Sequence, residues 1–156
     1  MAETILVIDD DPAMLAFLAQ RLAVEGYSVS TTTSGPDGIH QANSLRPDLL
    51  LLDLRMPYPD GAAVCKTLRA NPATQHIPII IVTGVLTPAH LEQALASGAD
   101  DFVYKPVDLP DLLIRIRAML NTRSIGDPAE RRVRYTELAR QMSAESARTR
   151  PATDKE

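Results

Sequence analysis

Four apolar runs in this 156-residue chain each end on residues able to do chemistry. Asp9 and Asp10 follow the run 5–8, Asp53 follows 49–52, Thr83 follows 79–82 and Lys105 follows 102–104. If the runs are parallel strands of one sheet, three carboxylates, a hydroxyl and an ammonium converge on one crevice. Carboxylates packed that closely repel and raise one another's pKa. A hard divalent cation relieves the repulsion, and an all-oxygen donor set suits magnesium or calcium. Asp53 then has the chemistry of a carboxylate nucleophile that accepts a phosphoryl group. Lys105 would add a second positive charge, and the Thr83 hydroxyl can hydrogen-bond a phosphoryl oxygen.

Competing chemistries leave no trace. The sequence contains no G-x-S-x-G, H-E-x-x-H, G-x-x-x-x-G-K-[ST] or G-x-G-x-x-G pattern. His40, His76 and His90 fall on helices or loops away from the strand ends, as surface residues. Cys65 is the single cysteine, which excludes an intrachain disulfide and a cysteine-based zinc site. It reads as a small apolar helix residue. Asp11 reads as a helix cap.

The elements that must position these residues alternate strand and helix five times. The runs 5–8, 49–52 and 79–82 are short, continuous and aliphatic, as strands buried on both faces require. They are expected at the centre of the sheet. Residues 27–32 are β-branched and polar and read as an edge strand; 101–104 is the fifth strand. Helices are predicted from Asp11-Pro12 to before Gly26, over 34–45, 60–70, from Thr87-Pro88 to about 97, and over 108–121. Gly38 weakens the second of these. Leu109, Leu112, Leu113, Ile116 and Leu120 form one apolar stripe on the fifth. Five β-α units with short loops imply an α/β fold, a doubly wound parallel sheet with helices on both faces. Ligands in such sheets bind beyond the carboxyl ends of the strands, at the topological switch point.

Composition narrows the partners. With 45% hydrophobic residues, 4% aromatics and no tryptophan, the core must be aliphatic. No apolar run reaches membrane-spanning length, and the N-terminus lacks a secretory pattern, so a cytoplasmic protein is expected. The net charge of −4 argues against nucleic acid as the main partner. Residues 1–120 carry 8 Lys+Arg against 14 Asp+Glu, whereas 121–156 carry 8 against 6. Gly126-Asp127-Pro128 reads as a linker, 129–147 as a helix and 149–156 as a disordered tail.

The segments ILVIDDDP (5–12), LLLLDLRMPYPDG (49–61), IIIVTG (79–84) and GADDFVYKP (98–106) resemble, in order and spacing, the receiver domain of two-component response regulators, the CheY-like domain. The resemblance covers about residues 3–121, with 122–156 as a C-terminal helical extension. It implies a flavodoxin-like (βα)5 sheet of order 2-1-3-4-5. It implies Asp53 as phosphoacceptor and Mg2+ (or Mn2+) held by Asp10, Asp53 and the Arg55 backbone carbonyl, with Asp9 acting through water. Thr83 and Lys105 would bind the phosphoryl group, and Phe102 would be the aromatic whose rotamer follows Thr83. Tyr104 is outside that pair. A cis peptide before Pro106 is implied as well. The side chains of Arg55 and Val85 would influence phosphoryl lifetime, and Gly84 stands where alanine is common.

The resemblance further implies a sensor histidine kinase or phosphotransfer protein as donor and an effector protein downstream. It allows a homodimer through the fourth helix, fifth strand and fifth helix, or through the C-terminal helix. No DNA-binding module is expected within 122–156. Such a domain promotes its own phosphorylation and dephosphorylation and is not a metabolic enzyme. Alternatives are a piece of a longer regulator or hybrid kinase, an unphosphorylated pseudo-receiver, and an aspartyl-nucleophile phosphatase. Those phosphatases commonly carry a general acid two residues past the nucleophile, where this chain has Arg55.

Overall fold

The computed structural model describes residues 2–84 and 87–149. Val85 and the tail beyond 149 lie outside them. The chain divides into two compact units between Val107 and Asp108. The first unit contains β1 (Thr4–Ile8), α1 (Pro12–Val24), β2 (Ser28–Thr32), α2 (Gly35–Leu45), β3 (Leu49–Leu52), α3 (Gly61–Ala70), β4 (Ile79–Thr83), α4 (Pro88–Ala96) and β5 (Asp101–Tyr104). All strand pairs are parallel, in the order β2-β1-β3-β4-β5. The three most aliphatic strands are therefore central, as their composition requires.

Register follows the alternation of side chains along each strand. Leu6, Leu50 and Ile79 align on one face, and so do Ile8, Leu52, Ile81 and Phe102. That face packs with Ala42 of α2, Val64, Cys65 and Leu68 of α3, and Ala94 of α4 in one core. Helix starts are fixed by side-chain caps. Asp11, Ser34, Asp60 and Thr87 accept from backbone N–H groups of Ala13, Asp37, Ala63 and His90.

Gly38, expected only to weaken α2, lies against β1: a Cβ there would fall 2.9 Å from Ile8 Cγ1. The helix propensity lost is the cost of a close approach. Gly61 has a stronger requirement. A Cβ on it would lie 2.6 Å from Leu54 Cα and closer still to the Asp53 carbonyl oxygen. Its N–H donates to Leu54 O at 3.1 Å. Because the obstruction is backbone, Gly61→Ala is expected to destabilise the protein by about 1–3 kcal/mol. The check is a lower urea midpoint at unchanged slope.

The second unit holds α5 (Leu109–Thr122) and α6 (Pro128–Thr149). Asp108 caps α5 by accepting from Asp111 N. Leu112, Ile116 and Leu120 of the expected stripe are buried, joined by Ala118, Met119 and Thr122. The sequence placed the last helix at 129–147 and the tail from 149. Instead, α6 runs through Thr149, whose hydroxyl donates to the Ser146 and Glu145 carbonyls. Pro128 begins α6, where its missing N–H costs nothing, and no α6 residue is buried.

Candidate functional site

Three strand ends, those of β1, β3 and β5, are continued for one residue by backbone hydrogen bonds, which is what places the chemistry. Asp9 N donates to Thr32 O, Asp53 N to Ile8 O and Lys105 N to Thr83 O, at 3.2, 2.9 and 2.9 Å. Asp9, Asp53 and Lys105 are thereby held beside the ends of β2, β1 and β4, and Thr83 is the last residue of β4.

Asp9, Asp10 and Asp53 place one carboxylate oxygen each within 4.8 Å of the others. Asp9 and Asp53 are 2% and 5% exposed, whereas Asp10 is exposed. Asp11 N donates to Asp9 Oδ1 at 2.9 Å, and Arg55 N donates to Asp53 Oδ1 at 3.1 Å. The remaining oxygens turn to one cation: Lys105 Nζ is 2.8 Å from Asp9 Oδ2 and 3.4 Å from Asp53 Oδ2. A cleft of about 530 Å³ opens over the group, lined by Asp10, Asp53, Arg55, Met56, Pro57, Gly84 and Lys105.

Burial pushes the Asp53 carboxyl above its ordinary value. The Arg55 N–H bond opposes that rise, Asp9's charge adds to it, and Lys105 opposes it again. Partial burial pulls the Lys105 ammonium down, but its hydrogen bond to Asp9 and the charges of Asp53 and Asp9 leave it raised. The crevice is thus under-neutralised. It gathers three carboxyl groups against one ammonium, and the carboxyl donors are all oxygen. That donor set fits a small divalent cation.

Thr83 is fully buried and aligned with Tyr104, and Ile81 with Phe102. Thr83, Tyr104 and Phe102 therefore share one sheet face. Phe102 is partly buried against the core, and Tyr104 is 52% exposed. Their rings meet edge to face, centroids 5.5 Å apart at 84°. The expectation that Tyr104 stands outside the Thr83–Phe102 switch pair concerned the switch position and not this ring contact. The contact itself follows from alternation, which puts 102 and 104 on one face.

The Lys105-Pro106 peptide is cis, and so is Tyr58-Pro59, which sequence reading did not single out. Cys65 is buried in α3, where burial pushes its thiol up despite the charge of Arg69. The three histidines are exposed and away from the cleft.

A doubly wound parallel sheet with an acidic, lysine-bearing crevice at its strand ends defines a class of phosphoryl-handling α/β domains. The chain belongs to the response regulator receiver domain family, which matches residues 5–117 and so spans both compact units. It is 38% identical over 132 residues to response regulator PleD of Caulobacter vibrioides, covering 85% of this chain and 29% of that protein. It is 40% identical over 116 residues to the DNA-binding dual master transcriptional regulator RpaA of Synechocystis, covering 74% and 48%. The chain thus spans between about a third and a half of the length of these curated relatives. A CheY-like receiver domain protein from Methanospirillum hungatei superposes with a TM-score of 0.75 at 28% identity, over 79% of this chain and 97% of that one. The receiver domain of sensor histidine kinase PA1611 from Pseudomonas aeruginosa superposes with a TM-score of 0.73 at 26% identity, over 78% and 99%. In that structure a magnesium ion is coordinated in the active-site cleft. Receiver domains are the phosphoacceptor switches of two-component signalling. Among the described residues, no helix is long and apolar enough to cross a membrane.

Proposed function

We propose that Asp53 accepts a phosphoryl group from the phosphohistidine of a sensor kinase or phosphotransfer protein. A carboxylate oxygen of Asp53 attacks phosphorus while the P–N bond breaks. The electron pair leaves on the imidazole nitrogen, which takes up a proton, and an aspartyl phosphate remains. The observation that carries this reading is that, of the two buried carboxylates of the trio, Asp53 is the one that lines the open cleft, 3.4 Å from Lys105 Nζ.

Asp10, Asp53 and the Arg55 carbonyl would hold magnesium or manganese, with Asp9 beside them. The cation would supply positive charge against the phosphoryl oxygens. Lys105 would move part of its attention from the carboxylates to the phosphoryl group. The Thr83 hydroxyl would be drawn to it as well, freeing space for the Phe102 ring. Because the Tyr104 ring meets Phe102 edge to face, that movement would reach an exposed side chain of β5. The result is a population shift in a protein-interaction surface that includes α4 and β5.

Residues 3–121 form the receiver in this reading, and 122–156 an extension that serves as linker or homodimer contact. The domain accepts and loses its own phosphoryl group without acting on other substrates. The full protein would be a longer regulator or a single-domain one with an effector protein as partner.

The test is labelling with a phosphorylated histidine kinase domain in magnesium. One phosphoryl group per chain is expected, stable in acid, cleaved by hydroxylamine and absent with EDTA. Labelling that persists in EDTA, or that resists hydroxylamine, would overturn the assignment.

A further inference from the structure

One side chain away from the crevice makes four hydrogen bonds. Arg69, in the last turn of α3, donates from Nε to Gly98 O at 2.9 Å. Its Nη1 donates to Gln75 O at 2.9 Å and Ile77 O at 2.6 Å, and its Nη2 to Asp100 Oδ2 at 2.8 Å. The same Asp100 oxygen accepts from Ile79 N at 2.8 Å. One guanidinium therefore fastens the end of α3, the approach to β4 and the turn between α4 and β5.

Gly98 is shaped for that contact. Its φ is +110°, and a Cβ on it would lie 2.7 Å from Arg69 Cγ. Two further features secure this end of α4. Ser97 Oγ donates to Ala94 O at 2.6 Å, and Ala99 N donates to the same carbonyl at 3.3 Å. Ala94 and Ala99 are 1% and 5% exposed and belong to the core. Toward the other end, Pro88, Ala89 and His90 are exposed and Leu91 is half-buried. Ala94 is the buried residue of this helix.

A helix of nine residues, about 13 Å long, is thus tied at the end away from the crevice and lightly packed at the end that follows Thr83. We propose that Arg69 is the pivot of α4: a positioning residue that holds the C-terminal end still, so that displacement around Thr83 swings the N-terminal end. This rests on the receiver reading and adds a direction to it. Hinge motions turn on a few residues at the ends of elements that absorb the backbone change.

The test is amide hydrogen exchange on the full chain with magnesium, with and without beryllofluoride as a phosphoryl mimic. Fluorine NMR reports whether the mimic is bound. In the wild type, exchange over Ala89–Gln93 should change by about fivefold or more, with Gly98–Asp101 unchanged. In Arg69→Gln the mimic should still bind, since Asp53 is intact, but the change should spread evenly through both stretches. Asp100→Asn, which keeps the side-chain volume, should act in the same direction and carries the test if Arg69→Gln does not fold. A merely structural Arg69 would lower stability in both states and leave the gradient along α4 as it was. That result, or an even change already in the wild type, overturns the pivot. Failure of the mimic to bind the wild type would instead overturn the receiver reading.

Discussion

Replacing Asp53 by asparagine is expected to abolish phosphoryl acceptance and, in the same protein, to raise stability without metal. The loss follows from the nucleophile. An amide oxygen neither attacks phosphorus as a carboxylate does nor leaves an acyl phosphate. The gain follows from burial. Asp53 is 5% exposed, and burial with Asp9's charge raises its pKa. Its ionised form is therefore disfavoured in the folded state relative to the unfolded chain.

The sign of the pH dependence is fixed by that direction. Between the unfolded value, about 4, and the raised folded value, the native state binds more protons than the unfolded state. Stability therefore falls as pH rises through that window. Asparagine removes the fall. It keeps an oxygen to accept from Arg55 N, and Lys105 keeps Asp9 at 2.8 Å. The variant should exceed the wild type by roughly 0.5–2 kcal/mol at pH 7 without metal, the scale usual when an active-site compromise is removed. The difference should vanish below about pH 4. Urea unfolding at several pH values, in EDTA, measures it. Equal stabilities at pH 7 would show that Lys105 already neutralises the site.

Much of this crevice was legible in the chain because strand ends are legible. A buried parallel strand is an aliphatic run, and a polar residue directly after it must lie at the carboxyl end of the sheet. Asp9, Asp53, Thr83 and Lys105 all carry that signal. The central position of β1, β3 and β4 follows from the same runs. Other features depend on pairings between distant residues. The Lys105–Asp9 contact joins positions 96 apart. Arg69 bonds carbonyls whose sequence carries no mark of them, and only Gly98 and Asp100 hint that something must fit there. Gly38 gave the same propensity signal as any weak helix glycine, because its reason is Ile8 on another element. The pairing of Tyr104 with Phe102 was available from alternation, but its geometry depends on rotamers. The end of α6 was set two residues short because no proline or glycine marks it before Pro151.

Lys105→Met should have the opposite effect on the metal-free protein. The ammonium is an ion-pair partner of both Asp9 and Asp53, whose side chains are 3% and 6% exposed. Methionine keeps most of the apolar stem and removes the charge, so the change isolates electrostatics. Breaking a buried pair from one side leaves uncompensated charge, a loss of about 3 kcal/mol or more. In the wild type, the raised Lys105 pKa means its contribution is fully present below the ordinary lysine value of about 10.4. It is lost only as pH rises through the folded value.

Two conditions should rescue the variant. Acid should narrow the deficit, because protonating Asp53 removes one of the stranded charges. Magnesium should narrow it further, since a ligand at about 100 times its Kd adds about 2.7 kcal/mol to the native state. The cation should even bind Lys105→Met more tightly, having no ammonium to displace. Phosphoryl transfer should not recover with stability. Losing one fixed positive donor at the developing charge typically lowers the rate by about 100-fold or more. A variant refolded by magnesium yet slow in phosphotransfer would separate the two tasks of Lys105: neutralising the empty crevice and gripping the phosphoryl group. Equal rates for variant and wild type would leave it only the first.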